Sequence, residues 1–296
     1  MSKITHVISV DLLPADAMAA AKLRTALDGM CAKDPTLGVT TGQGNEILLH
    51  GVSELHMEIA LDILRRGKGI AFQVGAPQVQ YCETITKSLV WDYTHKRQTR
   101  GAGEYAKVKI RFEPGERGSS FVFENAVRGD AVPEAFIPAV EKGLRTAKET
   151  GVIAGFPVID VKCALVDGGY HDVDSTEHTF EIAARACFCE ALPKTGPCLL
   201  EPMMEVGVVT PQEYMGDVVG DLNSRHGQVT GMDKIDGRQV IVAFVPVANL
   251  FGYDHTLKHM TRGRATCTMT FSHYEPVPPA RGPGDDTFPP AIGMRA

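Results

Sequence analysis

Ser53-Glu54-Leu55-His56-Met57-Glu58-Ile59-Ala60-Leu61-Asp62-Ile63 is the run on which the architecture turns. Leu55, Ile59 and Ile63 recur at i, i+4 and i+8, an apolar stripe of helical period, and Ser53 stands where an N-cap belongs. Gly67 and Gly69 end this helix, and residues 70–74 follow as a strand. Upstream, residues 37–41 and 46–50 read as short strands, with Gly42-Gln43-Gly44-Asn45 as the turn between them. Before these, residues 7–12 alternate as a strand. Residues 16–33 read as a helix capped by Asp16, with Met18, Leu23, Leu27 and Met30 for its buried side. The helix at Ser53 therefore completes the order β-α-β-β-α-β, a split βαβ unit with both helices on one sheet face.

The same order returns near the end with unrelated sequence. Residues 201–210 are strand-like, and Pro211 sits where a first-turn proline is tolerated, opening a helix over 211–225. Residues 228–234 and 239–245 form a hairpin around Asp236-Gly237, residues 246–259 a second helix, and residues 264–274 a last strand. Between the two units lie about 120 residues of different grammar. Residues 78–98 look extended, 105–113 and 121–125 alternate, 133–150 is a helix, 158–166 a strand, and 175–192 a helix with Ser175 as N-cap. The fold class is α+β: two ferredoxin-like split βαβ domains flanking a middle α+β domain with an arm-like tip. The boundaries fall at residues 1–76, 77–198 and 199–278, with hinges expected at 73–83 and 192–199. The tail from Pro276 to Ala296 holds six prolines and three glycines in 21 residues and is expected to be mobile.

Composition narrows the function. The chain has 296 residues, 44% of them hydrophobic and 22% charged, which excludes a wholly disordered protein. The sequence reads as having neither a membrane span nor a secretory signal, so no membrane crossing and a cytoplasmic location are expected. A net charge of −6 excludes a uniformly basic coat for nucleic acid but permits a local basic patch. The seven cysteines show no C-x-x-C spacing, which reads as reduced thiols, most of them buried, and no structural zinc.

Three stretches can carry chemistry. Residues 95–111 hold six cations (Lys96, Arg97, Arg100, Lys107, Lys109, Arg111) against one acid, Glu104. Strand period two puts Lys107, Lys109 and Arg111 on one face, with Val108, Ile110 and Phe112 toward a core, and Gly101-Ala102-Gly103 at a hairpin tip. This is either a finger that contacts polyanions or an ordinary solvated strand face. Asp167-Gly168-Gly169-Tyr170-His171-Asp172-Val173-Asp174-Ser175 leaves a strand and enters a helix. It reads as a surface-probing tip, a metal site, a catalytic histidine or a plain connection. Lys258-His259-Met260-Thr261-Arg262-Gly263-Arg264 is a helix-to-strand junction. There the backbone can approach phosphate, or the cations simply complement the helix dipole. His56 falls beside the apolar stripe and reads as a satisfied packing residue. No phosphate-binding loop, G-x-S-x-G or H-E-x-x-H occurs.

Several runs together resemble one family. They are Gly51-Val52-Ser53-Glu54-Leu55-His56-Met57-Glu58, Arg97-Gln98-Thr99, Gly155-Phe156-Pro157-Val158, the 167–175 run, Leu200-Glu201-Pro202-Met203, Pro211-Gln212-Glu213-Tyr214-Met215-Gly216-Asp217-Val218, Asp221-Leu222-Asn223 and Leu250-Phe251-Gly252-Tyr253. In this order, over residues 4 to 278, they resemble the C-terminal part of bacterial elongation factor G. The resemblance implies its third, fourth and fifth domains. The fourth would be an arm entering the decoding region of the small ribosomal subunit and keeping the tRNA–mRNA duplex from slipping back. It implies RNA contacts from Lys96, Arg97, Arg100, Gly101, Gly103, Tyr170, His171 and Asp172 at the tip. Lys258, His259, Thr261, Arg262 and Arg264 would meet the large-subunit rRNA. The third domain would transmit the nucleotide state. The family's nucleotide-binding and second domains have no counterpart here. The chain is therefore expected to be no enzyme and to bind neither GTP nor Mg by itself.

Two departures stand out. The family's tip loop reads Gly-Gly-Arg-Gly-Gln-Tyr-Gly where this chain has Arg100-Gly101-Ala102-Gly103-Glu104-Tyr105-Ala106, and its Gly-Met-Gly-Glu-Leu-His is Gly51-Val52-Ser53-Glu54-Leu55-His56. The expectation is a ribosome-binding monomer, with rRNA of both subunits and the tRNA–mRNA duplex as partners and no membrane. The rival readings are a ribosomal protection factor of the tetracycline-resistance type, a standalone interaction module that has lost ribosome activity, and a hydrolase using His171 with Asp172 or Asp174.

Overall fold

The computed structural model describes residues 6–41, 46–68, 70–99, 102–235 and 237–278. The expected turn at 42–45, Gly69, Arg100, Gly101, Asp236 and the tail from residue 279 lie outside the described residues. The chain forms two compact units. One joins the residues up to Gln80 with Glu201–Glu275, and the other is built on Tyr81–Leu200.

The first unit begins with β1 (Ile8–Pro14), α1 (Ala17–Cys31), β2 (Gly38–Thr41), β3 (Ile47–Gly51), α2 (Glu54–Lys68) and β4 (Phe72–Val74). The sheet order is β2-β3-β1-β4, and β5 (Gln78–Val79) also pairs with β1. This is the β-α-β-β-α-β unit read from the sequence. Asp16 caps α1 by accepting the Ala19 N–H at 2.7 Å. Leu23 and Leu27 are buried while Met18 is exposed, so the expected buried side of α1 is narrower than its four apolar residues.

The apolar face of α2 is a correction. Leu55, Ile59 and Ile63 are 51–55% exposed, whereas Met57, Ala60, Leu61 and Leu64 are buried. The helix is apolar on two sides, and both stripes satisfy a 3.6-residue period, so periodicity alone could not choose between them. Ser53 Oγ accepts the His56 N–H at 3.3 Å, and His56 Nε2 bonds Asp34 at 2.9 Å, which fixes the start of α2 against the loop after α1. His56 thus packs with Nε2 held by Asp34, while its buried Nδ1 has no hydrogen-bond partner among the described residues, so it is only half satisfied.

The same unit takes up β11 (Pro197–Thr210) from Glu201 onward, with α5 (Met215–Ser224), β12 (Gln228–Ile235), β13 (Arg238–Pro246), α6 (Tyr253–Met260) and β14 (Thr266–Pro276). The order β12-β13-β11-β14 repeats the topology of the first sheet. The helix read over 246–259 is broken in two. A short 3₁₀ turn at Val247–Asn249 is followed by Gly252 at φ 69°, and only then does α6 begin. The Gly252 N–H donates to Glu54 Oε2 of α2 at 2.7 Å. Beside this bond lies an apolar cleft of about 190 Å³ lined by Ile8, Leu55, Leu250, Phe251 and Met269. Arg225 anchors the repeat from within. It donates to Asp221 (2.9 Å) and to the Asn249 carbonyl (2.7 Å), and its guanidinium lies 5.0 Å from the Tyr253 ring centre.

The second unit is a four-stranded sheet, β7-β8-β10-β9, made of β7 (Leu89–Thr99), β8 (Ala102–Pro114), β9 (Phe121–Asn125) and β10 (Val161–Gly169). β9 runs parallel to β10, as the intervening crossover helix α3 (Ile137–Ala147) requires. Ala139, Val140 and Leu144 of α3 and Phe180, Ala184 and Phe188 of α4 (Glu177–Ala191) bury against Val108, Ile110, Phe112 and Leu165. The helices meet closely at Gly143, where a Cβ would fall 2.4 Å from the Glu181 carbonyl oxygen. Trp91 carries the Lys194 ammonium 3.1 Å from its ring centre and donates from Nε1 to Glu190 at 3.3 Å.

Strand β6 (Cys82–Ile85) pairs with the first residues of β11, Cys82 opposite Leu200 and Ile85 opposite Pro197. The two stretches expected as hinges thus contribute to a paired two-stranded connection. Within it Glu83 is fully buried, its carboxylate receiving the backbone N–H groups of Val152, Ile153, Ala154, Gly155 and Phe156 at 2.7–3.3 Å. Of the seven free cysteines only Cys82, Cys163 and Cys187 are buried, fewer than the composition suggested.

Candidate nucleic-acid interface

The tip of the second unit is built by two segments some 70 residues apart. In the β7–β8 ladder Thr99 stands opposite Ala102, Gln98 opposite Gly103, Arg97 opposite Glu104 and Lys96 opposite Tyr105. Ala102 and Gly103 are therefore strand residues rather than the turn itself. Lys96 and Arg97 are exposed. Glu104, the acid that departs from the family's pattern, bonds His95 Nε2 at 3.1 Å and is internally satisfied.

The 167–175 loop is tied to this hairpin. The Tyr105 N–H donates to the Asp174 carbonyl at 2.9 Å, and the Ser175 hydroxyl donates to the Tyr105 carbonyl at 2.6 Å. The same hydroxyl accepts the His171 N–H at 2.9 Å, while the Ser175 N–H returns to the His171 carbonyl at 3.1 Å. Contact is close enough that a Cβ at Gly103 would sit 2.6 Å from Asp174 Cγ, which explains glycine there. This knot also corrects the helix cap. Ser175 is spent on the hairpin, so Thr176 caps α4 by accepting the Thr179 N–H at 3.2 Å, within a capping box.

The knot leaves an exposed set on the tip. Tyr170 is 42% exposed, Val173 82%, and the His171 side chain 58%; Asp172 is also exposed. His171 Nδ1 accepts the N–H groups of Val173 (3.3 Å) and Asp174 (3.4 Å). Tyr105, Val173, Asp174 and Ser175 lie within the tip stretches but are not singled out by the sequence as RNA contacts, Asp174 being named only as a partner of His171 and Ser175 only as a helix cap. Nothing in the sequence couples the hairpin to the loop, because their bonds span about 70 positions.

The basic stripe of β8 is placed as its alternation demands. Ala106, Val108, Ile110 and Phe112 are buried, with Lys107, Lys109 and Arg111 on the opposite face. Its charge, however, is largely spent at home. Lys107 pairs with Asp92 at 3.2 Å, Arg111 with Glu113 at 3.3 Å, and neighbouring Lys162 with Glu124 at 2.7 Å. That favours the solvated strand face over a polyanion surface along its whole length. Among the described residues Lys96, Arg97 and Lys109 form no ion pair, so uncompensated charge remains at the tip and at one position of the stripe.

The junction after α6 departs from expectation in two ways. Thr261 is fully buried, its hydroxyl donating to the Leu257 carbonyl at 2.7 Å and accepting the Ala265 N–H at 3.2 Å, so it is a structural residue and not a surface contact. The backbone there offers no donor to phosphate either. The N–H groups of Arg262, Gly263 and Arg264 go to the carbonyls of His259, Lys258 and Thr261 at 2.7–3.3 Å, and Arg262 and Gly263 take φ of 54° and 73° to do so. Lys258 pairs with Asp254 at 2.5 Å, and Arg264 pairs with Glu213 at 2.6 Å over the Tyr214 ring. The Asp254 hydrogen bond holds the Lys258 ammonium above its usual pKa. His259 and Arg262 are exposed with no ion pair among the described residues. Among those residues no group of three or more His, Cys, Asp or Glu is placed to hold a metal ion, and no helix is long and apolar enough to cross a membrane.

Comparison with known proteins agrees with this architecture. Residues 5–76 match the family model for elongation factor G domain III, residues 77–196 that for domain IV, and residues 198–282 that for the elongation factor G C-terminus. A crystal structure of a Thermus thermophilus protein superposes with a TM-score of 0.75 at 36% identity over 94% of this chain. The chain covers 42% of that protein's length. Three models in their family order, on a fold that repeats one split βαβ topology around an α+β domain, make this chain a member of the elongation factor G family, represented by domains III, IV and the C-terminal domain.

Proposed function

We propose that this chain is the ribosome-binding C-terminal part of an elongation factor G-like translation factor, whose arm enters the decoding region and promotes movement of the tRNA–mRNA duplex. The observation that carries the reading is the knot at the tip. Two hydrogen bonds, at 2.6 and 2.9 Å, fuse the hairpin end bearing Lys96 and Arg97 with the loop bearing Tyr170, His171 and Asp172, and two more within that loop, at 2.9 and 3.1 Å, brace it. Such a preorganised polar knob meets an RNA surface without ordering cost. Arg100 and Gly101 belong to the same tip by sequence. The C-terminal domain contacts large-subunit rRNA through His259 and Arg262, with Lys258 and Arg264 available by exchange of their acid partners. The action is steric and electrostatic, requires no covalent step, and is carried out by a monomer in the cytoplasm.

Co-sedimentation with 70S ribosomes across a salt series tests this. The expected result is binding that weakens with salt. Arg97→Ala or Arg100→Ala is expected to lower affinity and reduce the logarithmic salt slope by about one. His171→Ala should weaken binding at an unchanged urea midpoint, because an exposed tip contributes little packing. Absence of binding by the unaltered chain at low salt contradicts the reading.

A further inference from the structure

We propose that the apolar run Phe288-Pro289-Pro290-Ala291-Ile292 of the chain's own tail folds back onto the first unit, with Phe288 in the cleft beside Leu250 and Ile292 along the exposed stripe of α2. The receiving surface is apolar and uncovered among the described residues. Leu55, Ile59 and Ile63 are 51–55% exposed on one side of α2, and Leu55 also lines the cleft, with Phe251 and Met269. An apolar stripe continuous with a cleft is the pattern of a surface that receives a partner. At about 190 Å³ the cleft is smaller than the roughly 300–1,000 Å³ of sites that take small molecules, and it suits a single side chain.

The tail has both the chemistry and the length. Eighteen residues, 279–296, follow the described chain, and the family match ends at residue 282, so the run lies beyond it. The run itself carries no charge, with Asp285-Asp286 before it and Arg295 after it. Two consecutive prolines hold such a segment near polyproline II, so little order has to be imposed when it docks. Four steps of that helix carry Phe288 to Ile292 over about 12 Å. Eight residues of α2 carry Leu55 to Ile63 over the same length, about 12 Å. Met269 of the cleft sits on β14, about 23 Å of strand before the end at Pro276. The twelve residues from Pro276 to Phe288 span up to about 37 Å, enough to return, and Gly282-Pro283-Gly284 supplies the reversal.

Disulfide trapping in the full chain tests the placement. With Leu55→Cys and Phe288→Cys combined, mild oxidation is expected to join the two introduced thiols within one chain, as identified by peptide mass spectrometry. Moving the second thiol to the reversal, as Gly284→Cys, should lower the yield about threefold or more, because an unguided tether then sets the effective concentration. Equal yields, or preferred capture of Cys31 or Cys189, overturn the proposal. A bond between two chains assigns the cleft to a second copy and overturns it as well. A second readout needs no thiol. The dye ANS, which brightens on apolar surface, is expected to gain about threefold in emission with Phe288→Asp and to stay unchanged with Thr287→Asp, at equal helix content by circular dichroism. Equal emission from Phe288→Asp and the unaltered chain means a cleft that the tail does not cover, and overturns the docking. Ribosome binding enters neither readout, so this proposal stands or falls independently of the function proposed above.

Discussion

Glu83 illustrates how much one side chain can organise without any sequence signature. Its carboxylate closes the 151–156 turn through five N–H groups of residues 69 to 73 positions away, and a Cβ at Gly151 would come within 2.2 Å of it. Glu83→Ala orphans all five donors and should cost about 3–5 kcal/mol in urea unfolding. Arg225 is similar: its fork reaches an acid and a carbonyl at once, so Arg225→Lys is expected to cost about 1–2 kcal/mol although charge is kept. A third residue links stability to pH. Burial, and then the nearby Glu275, pushes Glu201 from 4.5 up to about 7. The folded chain therefore retains a proton that the unfolded chain releases, and stability falls as pH rises from 4.5 to about 7. Glu201→Gln should remove that fall, leaving the variant more stable than the parent at pH 8, with the gap closing toward pH 5. None of these three roles was legible beforehand, since each depends on partners that only the tertiary fold supplies.

Elements were far more legible, because alternation and helical period are local properties. The strand face Val108-Ile110-Phe112 and the cap at Asp16 emerged as read. The failures arose where two local solutions were equally good. On α2 both apolar stripes have helical spacing, and the sheet selects the one containing Leu61 and Leu64. Ile59→Lys is accordingly expected to change unfolding free energy by no more than about 0.5 kcal/mol, while Leu64→Ala costs about 2–4 kcal/mol. Chemical denaturation of the two variants distinguishes the faces. At the start of α4 both Ser175 and Thr176 are good caps, and the hairpin claims the first. Beyond α5, Gly252 breaks a stretch whose polar and apolar residues otherwise fit a single helix.

At the scale of the whole molecule, the repeated β-α-β-β-α-β order was readable because it needs only element sequence, and the family motifs fixed what lies between. The distribution of charge was not. Of the six cations in residues 95–111, Lys107 is matched by Asp92 of the neighbouring strand and Arg111 by Glu113 of its own strand, while Lys96 and Arg97 stay exposed toward the tip. The division into units makes a further outcome measurable. Glu83 belongs to one unit and Arg225 to the other, so variants at the two positions should displace different parts of the unfolding curve. Trp91, held between Lys194 and Glu190, is the only tryptophan in the sequence. Its emission is a built-in optical label for the arm-bearing unit alone: it should follow the loss of Glu83, stay silent to the loss of Arg225, and let arm unfolding be timed in the intact chain with no dye attached.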